Sequence, residues 1–241
     1  MKTNKLVEKI TFYNSYFDLN DNLSTKSILN IFQDVASLHA EDLGVGYLAM
    51  LEKNLYWVLI RIKLDILKMP EINQTVIVET WPHEKGKVDF DRDLKILSQS
   101  GETLVVATSK WCVIDAEKRT LQRTDNIDYN GKCCSDVIYK QGAQKIFLPK
   151  NEFVFKFDYI VQYSDIDHNK HMNNTNYANL VFNAVENKHF THFEINFNNE
   201  CVLNDKIQVY TVKDECFEYV VGKVEDKIAF VSKVGNTQQV W

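Results

Sequence analysis

The chain has 241 residues and is 45% hydrophobic, enough to bury the core of one large domain or two modest ones. Only 3 prolines and 8 glycines argue against low-complexity or disordered character, and a formal net charge of −5 speaks against general nucleic-acid binding while leaving a local basic patch open. The five cysteines (Cys112, Cys133, Cys134, Cys201 and Cys216) are odd in number, unevenly spaced and include a vicinal pair, so they match no zinc spacing and no secreted disulfide framework.

Residues 1–8 show no apolar signal core and no Arg/Ser-rich transit character, and no run is long enough to span a membrane; a cytoplasmic protein is expected. Alternation over 7–15 predicts a strand. Residues 23–43 place Ile28, Leu29, Ile31, Phe32, Val35, Ala36, Leu38 and Leu43 at helical spacing, with Ser24 or Thr25 as cap and Gly44 and Gly46 at the end. Strands follow at 55–67, 75–81, 87–97 and 103–114, separated by turn signals at 82–86 and 98–101. Residues 121–151 have no clear period and contain Gly131, Gly142 and Pro149, which reads as a crossover linker. The plan then repeats: a strand at 153–163, a helix at 174–186, and strands at 190–197, 205–212, 216–223 and 227–233. The domains expected are therefore 1–130, a linker at 131–151, and 152–241.

The most polar stretch is Tyr163-Ser164-Asp165-Ile166-Asp167-His168-Asn169-Lys170-His171-Met172-Asn173-Asn174, between a strand and a helix. Asp-x-Asp-x-Asn opens like a calcium-binding EF-hand loop. That loop needs Gly at its sixth position and Glu at its twelfth, and these hold Lys170 and Asn176. A purely local reading is a polar turn in which Asn173 or Asn174 caps the helix. In an extended chain, Asp165, Asp167, Asn169 and His171 would share one face. The stretch can be laid on Tyr16-Phe17-Asp18-Leu19-Asn20-Asp21-Asn22-Leu23-Ser24, so that Asn20 replaces Asp167 and Ser24 replaces His171; the helices that follow align better after a two-residue shift. Only the second copy holds the acid and the imidazole, so one chemical site per chain is expected. A helix wrapped by an antiparallel sheet, occurring twice, is the layout of an α+β double hotdog fold, made of two tandem hotdog repeats.

The stretch resembles the acyl-acyl-carrier-protein (acyl-ACP) thioesterases of bacteria and plant plastids, whose motif Asp-x-Asp-x-Asn-x-His-x-Asn-Asn is followed shortly by a Tyr. All its fixed positions are present, and the resemblance covers nearly the whole chain. Trp57-Val58-Leu59-Ile60-Arg61, Glu79-Thr80-Trp81, Asp91-Arg92-Asp93, the segment from Ala107 to Asp115 and Phe197-Asn198-Asn199-Glu200-Cys201 are similar to further family segments in the same register. The resemblance implies hydrolysis of the thioester between a fatty acyl chain and the carrier protein's phosphopantetheine arm. It places Asp167, Asn169, His171 and Glu200 on active-site positions. Cys201 falls on a cysteine sometimes assigned as nucleophile. Asn198 and Asn199 stand where the plant members carry two arginines, which alters the electrostatic setting of Glu200. The plant members' targeting extension is missing, which fits a bacterial cytosolic enzyme.

Thioester hydrolysis needs an activated water and a stabilised oxyanion. Glu200 and His171 are expected to position or deprotonate the water, Asn169 to orient His171 or the carbonyl, and Asp167 to hold a neighbouring donor. Cys201 is either a nucleophile activated by His171 or a buried structural thiol, and direct water attack is preferred. Asp165 reads as a structural turn cap and His168 as exposed. Trp57, Phe32, Leu48, Met50 and Leu51 are candidates for an acyl pocket. Lys140, Lys145 and Lys150 are candidates for receiving an acidic carrier protein. No nucleotide loop, metal cluster or flavin motif appears, so no cofactor or metal is expected, and a homodimer is compatible but not required. The alternatives are an acyl-CoA thioesterase with the same chemistry and a non-catalytic acyl-binding hotdog regulator.

Overall fold

The computed structural model describes residues 4–128 and 134–237. Gly131, Cys133 and the expected boundary at 130/131 lie outside the described residues. The chain divides into two compact units, one running to Ala143 and the other from Gln144.

In the first unit, β1 (Leu6–Thr11), β2 (Leu55–Ile66), β3 (Thr75–Pro82), β4 (Phe90–Ser98) and β5 (Thr103–Asp115) form an antiparallel sheet in the order β1-β3-β4-β5-β2. Helix α1 (Thr25–Asp42) buries Ile28, Leu29, Ile31, Phe32, Val35 and Ala36, the stripe its apolar spacing predicts, and packs on β3 and β1. Ser24 caps it, accepting from the Ser27 N–H at 3.1 Å. Its C-terminus closes with Gly44 at φ 76°, where the Val45 N–H reaches the Ala40 carbonyl, a Schellman ending that a left-handed glycine permits. A short helix α2 (Tyr47–Leu51) follows.

The second unit repeats the plan. Strands β6 (Val154–Ile160), β7 (His192–Phe197), β8 (Lys206–Lys213), β9 (Phe217–Val224) and β10 (Lys227–Gly235) run antiparallel in the order β6-β8-β9-β10-β7, matching β1-β3-β4-β5-β2 term by term. Helix α3 (Tyr177–Ala184) buries Tyr177, Ala178, Leu180, Val181 and Ala184. Each unit is a hotdog, and the chain has the double hotdog fold.

Several elements differ in extent from the sequence expectation. The strand expected at 7–15 stops at Thr11, because Asn14–Tyr16 wind into a 3-10 turn. The one expected at 87–97 begins at Phe90, after a turn in which the Gly86 N–H bonds the Asp89 carbonyl. The helix expected at 174–186 splits into a 3-10 turn (Asn174–Asn176) and α3, which ends at Ala184; Lys188 Nζ then takes the carbonyls of Phe182 and Val185.

The irregular segment before β6 is held by side chains rather than by a ladder. In the first unit, Trp81 Nε1 donates to the Asp136 carbonyl, Asp93 accepts the Ile138 N–H, and the Tyr139 hydroxyl donates to Asp65. In the second unit, the Ile146 N–H donates to Asn196 Oδ1, and Ile146 and Leu148 pack on Val212, Tyr219, Val221 and Val231. Aperiodic sequence is the expected result when the partners are individual side chains.

Candidate active site

The polar stretch folds as a tight hairpin, not as an extended strand. Tyr163–Asp165 form a 3-10 turn; Ile166 and Met172 then form an antiparallel bridge. Between them the Asp167 N–H donates to the His171 carbonyl and the Lys170 N–H to the Asp167 carbonyl, both at 2.9 Å, while Lys170 takes a left-handed φ of 68°. The turn therefore breaks the common face expected for Asp165, Asp167, Asn169 and His171.

The four side chains go to different tasks. Asp167 Oδ1 accepts the Asn169 N–H at 2.8 Å, an Asx turn that holds the hairpin tip. Asn169 is exposed at that tip, with His168 and Lys170. Asp165 is buried and accepts the Gln162 N–H and the Tyr159 hydroxyl, in keeping with a turn cap. His171 Nε2 lies 3.1 Å from Glu200 Oε2, with the two side chains 21% and 32% exposed.

Glu200 reaches His171 from a loop after β7. The Asn198 and Asn199 N–H groups both donate to the Ala229 carbonyl, and the Asn199 side chain donates to the Ile228 carbonyl. Asn199 thus uses its amide to hold the loop. The Met172 N–H donates to the Cys201 carbonyl at 2.8 Å, tying the hairpin to this loop. The structure so brings together His171 and Glu200, 29 positions apart in the chain, from a hairpin and a loop joined by a main-chain hydrogen bond.

Cys201 faces the other way. It is fully buried; its thiol shares a hydrogen bond with the Tyr177 hydroxyl, and burial pushes both groups above their ordinary pKa. A buried neutral thiol is a poor nucleophile.

The first unit carries the same hairpin. Phe17 bridges Leu23, the Asp18 N–H donates to the Asn22 carbonyl, the Asp21 N–H to the Asp18 carbonyl, and Asp18 Oδ1 accepts the Asn20 N–H; Asp21 has φ 58°. The Ser24 N–H donates to the Tyr16 carbonyl as the Asn173 N–H does to that of Asp165. This fixes the register two residues from the sequence alignment: Asp18 matches Asp167, Asn20 matches Asn169, and Asn22, not Ser24, matches His171. The acid expected in the second copy alone is therefore present in both, and so is the amide; the imidazole is found only in the second. The paired bonds of Phe12 with Asn73 and Gln74 match those of Val161 with Asn204 and Asp205, so Met69 stands at the position of Glu200. The second copy alone has both members of the imidazole–carboxylate pair.

A cavity within the first unit is lined by Ala36, Ala40, Val45, Trp57, Phe90 and Trp111, among others. Of the expected acyl-pocket residues, Trp57 lines it and Met50 packs in the neighbouring core cluster; Phe32 is buried, while Leu48 and Leu51 are 65% and 53% exposed. Lys140, Lys145 and Lys150 are exposed. Among the described residues, no helix is long and apolar enough to cross a membrane.

Models of the acyl-ACP thioesterase N-terminal and C-terminal domains match residues 5–128 and 149–238. The chain belongs to the acyl-ACP thioesterase family. Within that family it is similar to the chloroplastic oleoyl-acyl carrier protein thioesterase 2 of Arabidopsis thaliana, with 26% identity over 84% of this chain and 61% of the plant protein. The chain therefore spans about three-fifths of the length of that curated relative. Among solved structures, an acyl-ACP thioesterase from Bacteroides thetaiotaomicron superposes with a TM-score of 0.84 at 22% identity, over 96% of this chain and 97% of that one. The 12:0-ACP thioesterase from Umbellularia californica gives 0.80 at 18% identity, over 98% of each chain. At these identities the structural likeness concerns the fold.

Proposed function

We propose that this chain hydrolyses the thioester of fatty acyl-ACP, releasing the free fatty acid and the carrier's phosphopantetheine thiol. The observation that carries this reading is the contact of His171 Nε2 with Glu200 Oε2 at 3.1 Å, in the one hairpin of the two that has an imidazole. Membership of the acyl-ACP thioesterase family supports the substrate class.

In this reading a water held by the imidazole–carboxylate pair gives up a proton to it while its oxygen attacks the carbonyl carbon. The C–S bond then breaks, and the departing sulfur takes the proton back, so water is consumed and an acid and a thiol are formed. Asn169 offers its amide to the carbonyl oxygen, where negative charge develops. Asp167 acts through Asn169, whose N–H it holds, and is a positioning residue. Cys201 is structural, because its thiol is buried against Tyr177 and held protonated. Acting on acyl-ACP, the enzyme would serve fatty acid biosynthesis in the compartment that holds the carrier protein, the cytoplasm of a bacterial cell.

The test is release of free acid from matched acyl chains on carrier protein and on coenzyme A, with His171→Ala as control. Faster turnover of the carrier-protein substrate, lost in the variant, is the expected result. Preference for coenzyme A would keep the chemistry and change the partner. Bound acyl chains with no turnover of either substrate would make the chain a binder and overturn the reading.

A further inference from the structure

The two hairpins share a backbone, so their differences separate what the fold needs from what the chemistry needs. His171 and Glu200 are matched by Asn22 and Met69. The same register matches Asp165 with Tyr16, since their carbonyls accept from Asn173 and Ser24, and matches Tyr159 with Ile10, each two residues before Val161 and Phe12. The Tyr159–Asp165 hydrogen bond at 2.7 Å thus belongs to the second copy alone. In the first copy the Tyr16 ring packs on Phe12 at 5.8 Å instead. That hairpin forms the equivalent main-chain turn bonds without a carboxylate at this position, so its backbone fold does not require one.

We infer that Asp165, with Tyr159, is a positioning residue for the His171–Glu200 pair. The inference rests on the hydrolytic reading of that pair given above. Asp165 Oδ2 accepts from the Tyr159 hydroxyl on β6 and from the Gln162 N–H at 2.8 Å, which fixes the entry to the hairpin against the sheet. Its carbonyl accepts the Asn173 N–H at 2.8 Å and Asn176 Nδ2 at 3.2 Å, which fixes the exit and the start of the helical turn. One residue so clamps both limbs of the hairpin that carries His171. Burial and the Asp165 carboxylate push the Tyr159 hydroxyl up to about 12, so it remains a donor throughout the working pH range. A misplacement of about 1 Å at a catalytic group can cost on the order of 100-fold in rate. The 3.1 Å contact between His171 and Glu200 leaves little room for such a shift.

The experiment compares Asp165→Asn, Tyr159→Phe, the double variant and His171→Ala, measuring kcat, KM and the pH profile of kcat on acyl-ACP, together with Tm. Asp165→Asn replaces the buried charged oxygen that takes both donors with a weaker neutral acceptor; it is expected to lower kcat about 10- to 100-fold and Tyr159→Phe somewhat less, with KM unchanged, the pH profile displaced and Tm lowered only slightly. The double variant should be no worse than Asp165→Asn alone, because both changes break one unit. Wild-type kcat and pH profile in Asp165→Asn and Tyr159→Phe, with His171→Ala inactive, would overturn this inference alone. Loss of kcat only in proportion to a fall in Tm would also overturn it, by making the pair structural. If Asp165→Asn does not fold, Tyr159→Phe decides by itself, since it removes one hydroxyl; unchanged kinetics overturn the inference. Full activity in His171→Ala would overturn the underlying reading and this inference with it.

Discussion

Asn22 stands in the first hairpin where His171 stands in the second, inside the same set of turn hydrogen bonds. With Met69 at the position of Glu200, the first copy has neither an imidazole nor a carboxylate at the two matching positions. The first copy retains the acid, Asp18, because its carboxylate accepts the Asn20 N–H in the Asx turn that shapes the tip. The acid is thus accounted for by structure in both copies; the imidazole and its partner are not.

His171→Ala and Glu200→Gln should therefore each reduce kcat on acyl-ACP by about 100-fold or more, the usual scale for loss of a general acid–base group. Because the pair acts as a unit, the double variant should be little worse than either single one. Initial rates of free-acid release, with circular dichroism to check folding, measure both. A loss below about threefold in either single variant contradicts the assignment.

Asp167→Ala should act differently. It removes the acceptor of the Asn169 N–H, a bond worth about 1 kcal/mol, and frees the tip that carries Asn169. The expected outcome is a small drop in stability and a fall in kcat on the order of 10-fold, smaller than that of His171→Ala. Asp167→Asn keeps an acceptor oxygen and should recover most of the rate. If Asp167→Asn is as impaired as Asp167→Ala, the carboxylate has a direct chemical role rather than a positioning one.

Cys201→Ala tests the covalent alternative. The thiol is buried, neutral and engaged with Tyr177, facing away from the side on which Glu200 is exposed. Turnover should stay within about fivefold of wild type, with stability lowered by roughly 1–2 kcal/mol for a lost buried contact and a Tyr177 hydroxyl left without its partner. In the native protein, iodoacetamide should leave Cys201 unmodified while labelling exposed Cys216. Abolished turnover in a folded Cys201→Ala, or an acyl-enzyme trapped on Cys201, refutes water attack.

Much of the architecture was legible from periodicity: the described strands and helices α1 and α3 fall where alternation and helical spacing put them, to within a few residues. The departures around the polar stretch have a local cause. At 161–177 3-10 turns and a hairpin replace longer regular elements, because Asp and Asn side chains bond nearby main-chain groups in ways that mimic backbone turns. Such local bonds have no period to read. The same local geometry hid the correct register of the repeat, since Tyr, Asp and Asn recur often enough in turns to align two residues out of step. Tyr159 was invisible for that reason: it reads as one more aromatic on a strand until the corrected register sets it against Ile10. Glu200 could be proposed only by resemblance, because its meeting with His171 depends on a loop fold rather than on spacing.

Burial also predicts how the fold responds to base. Cys112 on β5 is 6% exposed, and burial pushes its thiol from the ordinary range up to about 11. Below about pH 8 the thiol is protonated in both folded and unfolded chains, so its burial contributes its full stabilisation. Between about pH 9 and 11 the unfolded chain releases the proton and the folded chain keeps it, so unfolding becomes more favourable as pH rises. Tyr159, Tyr177 and Cys201 shift in the same direction and add to the slope. Each fully shifted group contributes at most about 1.4 kcal/mol per pH unit within its window. Urea unfolding at pH 8 and pH 10.5 should show wild-type stability falling with pH, and Cys112→Ala should fall less steeply, by roughly 1–2 kcal/mol over that interval. Equal slopes in the two proteins would mean that the Cys112 thiol ionises inside the fold as readily as outside it, and that burial behind β5 does not hold it protonated.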